Sequence, residues 1–173
     1  MENASSRYTA GQATPGDAWA AEAAESGRQG TQRIARAGWR TASPDVATAL
    51  GVAPGARVVA RRRIVLLDGR PIEIADSYYP EAVAAGTALA EPGKIPGGAA
   101  ALLAELGYVA GQIREAVSAR LPDADEQGLL GIEPTSPVLI LERTSAAEGL
   151  PFEYAVMTMT AAGRKLHYSA RSE

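Results

Sequence analysis

Sliding the chain against itself by 80 positions lays one stretch on another without a gap. Leu50, Gly51, Pro54, Val58, Arg63, Gly69, Pro71, Glu73 and Ala75 fall on Leu130, Gly131, Pro134, Val138, Arg143, Gly149, Pro151, Glu153 and Ala155, nine identities in 26 aligned positions. Val52/Ile132 and Ile72/Phe152 add apolar matches. Each copy reads as a helix, then Gly-x-x-Pro, then a β-hairpin. One supersecondary unit is therefore made twice, and the fold has to accept two copies in equivalent surroundings.

Alternation along the hairpin strands separates two faces. Val58, Ala60, Ile64 and Leu66 share one, and Arg61, Arg63 and Val65 the other. On the partner strand Ile72, Ile74 and Tyr78 stand opposite in sense to Glu73, Ala75, Ser77 and Tyr79. A three-residue loop at 68–70 pairs position 63 with 75 and 65 with 73, keeping apolar on apolar. A two-residue loop would set Arg63 against Ile74, and a one-residue slip flips every side chain, so the three-residue reading is preferred. In the second copy Arg143, Glu153, Ala155, Met157 and Met159 share a face. Arg62 falls on the apolar side and is expected to snorkel at an edge. An arginine and a glutamate from each hairpin thus reach the non-core face. They form either a pseudo-symmetric cleft or solvated cross-strand ion pairs worth under ~1 kcal/mol each.

Around the repeat, residues 1–16 are polar and turn-prone and read as an arm, leaving 17–173 as a single domain. Asp17 is placed to cap a helix through Arg28 with Trp19, Ala20, Ala23 and Ala24 on one face, stopped by Gly27 and Gly30. A strand is predicted over 32–40, and Ser43-Pro44-Asp45 opens a short helix ended by Gly51. Strands are predicted over 57–67 and 71–79, followed by a long connection through 81–98 and an alanine/leucine helix over 98–107. A strand over 109–121, a helix over 123–130 and strands near 137–145, 151–160 and 164–169 complete the chain. Hairpins interleaved with helices, without strict βαβ alternation, argue for an α+β fold on an antiparallel sheet of about six strands.

Composition narrows function mainly by exclusion. A length of 173 residues suits one core. With no cysteine, thiol catalysis, disulfides and thiolate metal sites are excluded. The lone histidine, His167, rules out a histidine-rich metal centre, and with no matched serine and acid nearby it reads as a half-exposed residue of the last strand. No cofactor and no metal are expected. A net charge of −3 argues against a nucleic-acid surface. Neither a basic-then-apolar leader nor an apolar run of ~18 residues occurs, so no membrane partner and a cytoplasmic location are expected. Trp19 and Trp39 are assigned to packing of the N-terminal helix and strand.

The run Arg61-Arg62-Arg63-Ile64-Val65-Leu66-Leu67-Asp68-Gly69-Arg70-Pro71, followed by Ser77-Tyr78-Tyr79-Pro80, resembles the central signature of UTRA domains. So do Val117-Ser118-Ala119-Arg120, Leu130-Gly131-Ile132, Pro137-Val138-Leu139, Glu142-Arg143-Thr144 and Gly149-Leu150-Pro151-Phe152-Glu153-Tyr154. UTRA domains are the effector-sensing domains of GntR-type transcription regulators of the HutC subfamily. The likeness runs from about Arg7 to Tyr168 and is nearest to actinobacterial members. It implies a chorismate-lyase-like fold, a small-molecule pocket and homodimerisation. The winged helix-turn-helix that precedes such sensors has no counterpart in the few residues before Arg7, so this chain is not expected to bind DNA directly.

Carried over position by position, the resemblance gives a pocket with departures. The Arg-x-Arg pair of sugar-phosphate-sensing members matches Arg63 and Val65, so the second arginine is replaced. A glutamate on the next strand matches Ala75, and a tyrosine matches Met159. A serine and a tyrosine at the mouth of the middle helix match Gly98 and Ala100. Glu153 keeps the family's later glutamate. The implied pocket is less charged and roomier, lined by Val65, Ala75, Ala100, Met157 and Met159, with Arg63 and Glu153 as polar anchors. The wider candidate set adds Arg61, Glu73, Ser77, Arg143, Gly97 and Glu115. Methionines at 157 and 159 are more often gap-fillers of the core than pocket lining. Pro96-Gly97-Gly98 is either an anion-attracting helix start or a plain turn. Glu115, alternating with Ile113 and Val117, faces either the pocket or solvent. A buried arginine favours a planar anion, so the expected ligand carries a carboxylate or carbonyl on an apolar body. A second reading makes the pocket a chorismate-lyase-like enzyme acting on an unsaturated acid, with Arg63 and Glu153 as its catalytic pair.

Overall fold

A computed structural model of the chain describes residues 2–4 and 18–168. Its elements run β1 (Glu2–Ala4), α1 (Ala18–Glu25), β2 (Gly30–Thr41), α2 (Pro44–Leu50), β3 (Arg57–Leu67), β4 (Arg70–Pro80) and α3 (Glu81–Ala84). They continue α4 (Gly98–Glu105), β5 (Gln112–Arg120), α5 (Ala124–Leu130), β6 (Val138–Ala147), β7 (Leu150–Thr160) and β8 (Lys165–His167). Six strands form one antiparallel sheet in the order β2-β3-β4-β7-β6-β5. The α+β class and six-stranded antiparallel sheet are as expected.

The duplication is larger than the sequence reading made it. α1 and α4 are also displaced by 80 residues, as are β2 and β5 to within a few residues at their ends, so each copy is α-β-α-β-β. The sheet order is its own mirror about the β4–β7 pair. At that seam Ala75 stands opposite Met157 and Ser77 opposite Ala155. Residues 75 and 155, and 77 and 157, are repeat equivalents, so a pseudo-twofold axis runs between these two rows.

Local chemistry sets the elements of both copies alike. Ser43 accepts from the Val46 amide and Pro44 fills the first helical position of α2. Asp123 and Glu126 form a reciprocal capping box at the start of α5. Gly51 and Gly131 close the two helices in the left-handed region, both at φ 64°. The hairpins keep the expected pairing of Arg63 with Ala75 and Val65 with Glu73. They reach it differently from the predicted three-residue loop. Leu67 pairs with Arg70 across a two-residue turn, Asp68-Gly69 at φ 50° and 76°, and a bulge at Ile72 restores the register. Glu148-Gly149 at φ 50° and 81°, with the bulge at Phe152, repeats the device.

The two sheet faces carry different helices. α2 lays Val46, Ala47 and Leu50 on Val58 and Tyr154. On the same face α5 packs Leu130 against Ile64, Ile74, Val138 and Ile140, and Val156 touches both clusters. Each fully buried aliphatic side chain here contributes about 1.5–3 kcal/mol. Arg62 also lies on this face and does not snorkel. It forks onto Asp76 at 2.8 and 2.7 Å and reaches Asp125 of α5 at 2.7 Å, which holds its guanidinium protonated. Asp76, on the same face as Ile74 and Tyr78 and directly opposite Arg62 in the register, supplies what the edge was expected to supply.

The opposite face is covered by α1, α3, α4 and the 85–97 segment. Trp19 and Ala23 of α1 pack on Val65 and Leu67, and the Trp19 indole donates to the Leu66 carbonyl at 2.9 Å. Leu103 of α4, Val83, Leu89 and Ile95 pack with Val59, Tyr79 and Phe152, and Trp39 joins their margin. α1 is shorter than predicted because Gly27, at φ 67°, turns the chain after Glu25, which leaves Ala24 exposed. The 81–98 connection contains the single turn of α3. The last strand, β8, leaves the main sheet and pairs in parallel with β1, inside the stretch read as an arm. Residue 1 and residues 5–17, with the predicted Asp17 cap, lie outside the described residues.

Candidate functional site

Pairing registers place the candidate side chains in rows across the face beneath α1 and α4. Arg63, Ala75, Met157 and Leu141 form one row, and Arg61, Ser77, Ala155, Arg143 and Glu115 the next. Val65, Glu73 and Met159 lie to one side, and Val59, Tyr79, Glu153 and Ser145 to the other. Small residues occupy the middle: Ala75, Ser77 and Ala155 are buried, and Met157 is half-buried. Arg63 and Glu153 stand on one diagonal of this floor. Arg143 and Glu73, their repeat equivalents, stand on the other.

The two diagonals share a layout but not their bonding. Arg143 donates through Nε to Glu115 Oε1 at 2.6 Å, and both side chains are largely buried. The carboxylate of Glu73 lies 3.8 Å from the guanidinium of Arg164, whose side chain is 2% exposed and also donates to the Ile72 carbonyl. Burial pushes the Glu73 carboxyl up, and Arg164 opposes that shift. On the first diagonal Arg63 donates to the amide oxygen of Gln32 at 3.3 Å, and Glu153 accepts the Tyr79 hydroxyl at 2.8 Å. Burial, reinforced by Glu153, pushes the Tyr79 phenol well up, so it remains a donor. Arg63 and Glu153 are half-buried, and neither forms an ion pair among the described residues, although the charge of Arg63 also acts on Glu73.

Other candidates sit elsewhere in the fold. Arg61 is buried and turned to the 88–93 segment, donating to the carbonyls of Leu89 at 2.8 Å, Glu91 at 2.5 Å and Gly93 at 2.7 Å. Desolvation lowers its pKa, but a guanidinium stays charged. Val65 lies under α1, and Met159 is fully buried, so both are core rather than lining. Gly97 and Gly98, at φ 73° and 85°, open α4; both are exposed, as is Ala100, and the Gly98 amide already donates to Ile95. Glu115 is largely buried against Arg143 rather than facing solvent. His167 is exposed on β8.

Sequence reasoning missed Tyr79 and Arg164 as members of this site. Tyr79 stood on the right face in the alternation. Arg164 lies beyond the repeat and carried no signal. The arrangement is suited to recognition: a guanidinium for a planar anion and a carboxylate for a donor, set over a floor without bulky side chains.

Comparison with known proteins settles the family. The sequence matches the UTRA domain over residues 25–162. The chain belongs to the UTRA family. An HTH-type transcriptional regulator of Streptomyces coelicolor is 36% identical to this UTRA domain over 130 residues, which is 73% of this chain and 47% of the regulator. One of Rhizobium meliloti is 36% identical over 117 residues, 66% of this chain and 47% of its own length. The chain thus spans about half the length of these relatives. Among solved structures, a GntR-family transcriptional regulator superposes with a TM-score of 0.77 at 27% identity, covering 87% of this chain and 62% of that one. The effector domain of PhnF from Mycobacterium smegmatis superposes at 0.76 over 90% of this chain and 95% of its own, and at 20% identity it is evidence of fold alone. The UTRA domain therefore resembles the ligand-binding domains of GntR-family regulators. No described helix is long and apolar enough to cross a membrane.

Proposed function

We propose that this UTRA domain senses a small metabolite for a cytoplasmic transcription regulator of the GntR/HutC type, binding it over the Ala75/Ala155 floor and acting as a homodimer. The observation that carries the reading is the diagonal of Arg63 and Glu153, two half-buried charges over small side chains, neither in an ion pair among the described residues. Burial of ionic groups at that depth is costly unless something completes them. A ligand with a carboxylate or carbonyl on an apolar body does so at Arg63, and its body rests on Met157. Dimerisation is supported by the β5 edge of the sheet, where Val117 and Leu121 are exposed, since an unpaired strand edge is a template for a second copy.

The test is dialysis of the purified chain against a bacterial metabolite extract, followed by mass spectrometry of bound and free compounds. The proposal expects one compound retained unchanged, at up to one per protomer. A compound consumed in large excess over the protein, with consumption lost in Arg63→Met or Glu153→Gln, overturns it in favour of an enzyme.

A further inference from the structure

The two halves of the sheet carry the same arginine–glutamate diagonal, yet only one is completed by the chain itself. In the second half Arg143 receives a carboxylate from Glu115, and Glu73 faces the guanidinium of Arg164. Those two internal partners supply one anion and one cation. In the first half neither ion pair forms: the β2 residue paired with Arg63, as Glu115 is with Arg143, is Ile34, with Ala35 in the adjoining bulge, and Glu153 receives only the neutral hydroxyl of Tyr79.

Resting on the sensor reading, we infer that the effector is a zwitterion, its carboxylate on Arg63 where Glu115 sits on Arg143, and its protonated amine beside Glu153 where Arg164 sits beside Glu73. A purely anionic effector would answer Arg63 and leave Glu153 a half-buried carboxylate shielded from water without a cation; a purely cationic one would do the converse. With both ends met, the cleft and its ligand are neutral together. Geometry limits the body between them. Arg63 and Glu153 are two strands and four residues apart, about 16 Å between backbones by ordinary strand spacing. With the Arg63 guanidinium turned from Gln32 towards Glu153, that span fits charged ends separated by about six to eight bonds. The unsubstituted floor at Ala75 and Ala155 and the thioether of Met157 call for an apolar body there.

The experiment uses the chain labelled with carbon-13 on its methionine methyls, in which half-buried Met157 reports on the floor and fully buried Met159 serves as reference. The probes are para-(aminomethyl)benzoate with para-methylbenzoate and para-methylbenzylamine, and ε-aminohexanoate with hexanoate and hexylamine. At least one zwitterion is expected to shift the Met157 signal with affinity about tenfold above its matched acid and amine, the worth of one charge-assisted hydrogen bond. Glu153→Gln keeps an acceptor for Tyr79 and should bring that zwitterion to within about twofold of its matched acid. Arg63→Met should bring it to the level of the amine. An acid that binds the wild type as tightly as its zwitterion overturns the inference and leaves the sensor reading standing. The same follows if none of the six moves Met157 while the metabolite extract yields a retained compound. If the extract yields nothing either, both fall.

Discussion

The guanidinium of Arg61 is saturated by backbone carbonyls of the 88–93 segment, whereas that of Arg63, two residues along the same face, meets only the Gln32 amide. Their substitutions should therefore differ in kind. Arg61→Met strands several carbonyls and is expected to cost roughly 3 kcal/mol or more in denaturant unfolding. Arg63→Met should stay within about 1 kcal/mol of the wild type and abolish ligand retention instead. The sequence could not separate the two, because alternation gives the face of a side chain and not what folds over it. A segment nearly thirty residues away decides. Glu126 was equally hidden. Hydrogen bonds from Arg120 hold its carboxyl below the usual range, with burial acting against them, and it also accepts from Thr158 and the Asp123 amide. A carboxylate with a lowered folded pKa adds stability that is present above its unfolded value and lost as pH falls through the folded one. Glu126→Gln should thus cost about 1–2 kcal/mol at neutral pH. Its gap to the wild type should narrow below about pH 4 in acid titrations followed by circular dichroism.

At the scale of elements, the repeat was legible where it had to be specific. Turn glycines, the bulge pair Ile72/Phe152 and the arginine–glutamate pair cannot be exchanged freely, so they stayed aligned. The α1–β2 and α4–β5 segments drifted out of sight because their contacts ask only for small or apolar residues. Ala24-Glu25 over Ala104-Glu105, Gly27 over Gly107, Gln32 over Gln112 and Arg40 over Arg120 still mark the correspondence, but alanine on alanine says little in a chain so rich in it. The loop length misled for a physical reason: a two-residue turn plus a bulge gives the same strand pairing as a three-residue loop. Both central turn residues hold positive φ, and Glu148 bears that without the hydrogen bonds that Asp68 makes to Arg28 and the Gln29 amide. Glu148→Asn should therefore raise stability by about 0.5 kcal/mol, and Gly149→Ala should lower it by about 1 kcal/mol or more, read from the urea midpoint at unchanged slope.

For the whole molecule, the β4–β7 seam makes one continuous sheet of two like halves and puts Ala75, Ser77, Ala155 and Met157 beside the pseudo-twofold axis. Duplication alone would give two equal sites. Among the described residues Glu115 and the post-repeat Arg164 complete one of them, and the proposed site is the other, at Arg63 and Glu153. That asymmetry turns on Glu115, in the half of the repeat that was not legible in the sequence, and on Arg164 beyond it. At the sheet margin, Val117→Lys should shift the proposed dimer to monomer in sedimentation velocity without lowering stability by more than about 1 kcal/mol, since Val117 is exposed. The central claim concerns place, and a crystal structure of the chain with its retained metabolite tests it most directly. The account predicts the compound over Ala75, Ala155 and Met157, within hydrogen-bonding distance of Arg63 and Glu153. A compound seated against α2 and α5 on the other face, or on Arg143 with Glu115 displaced, would contradict it.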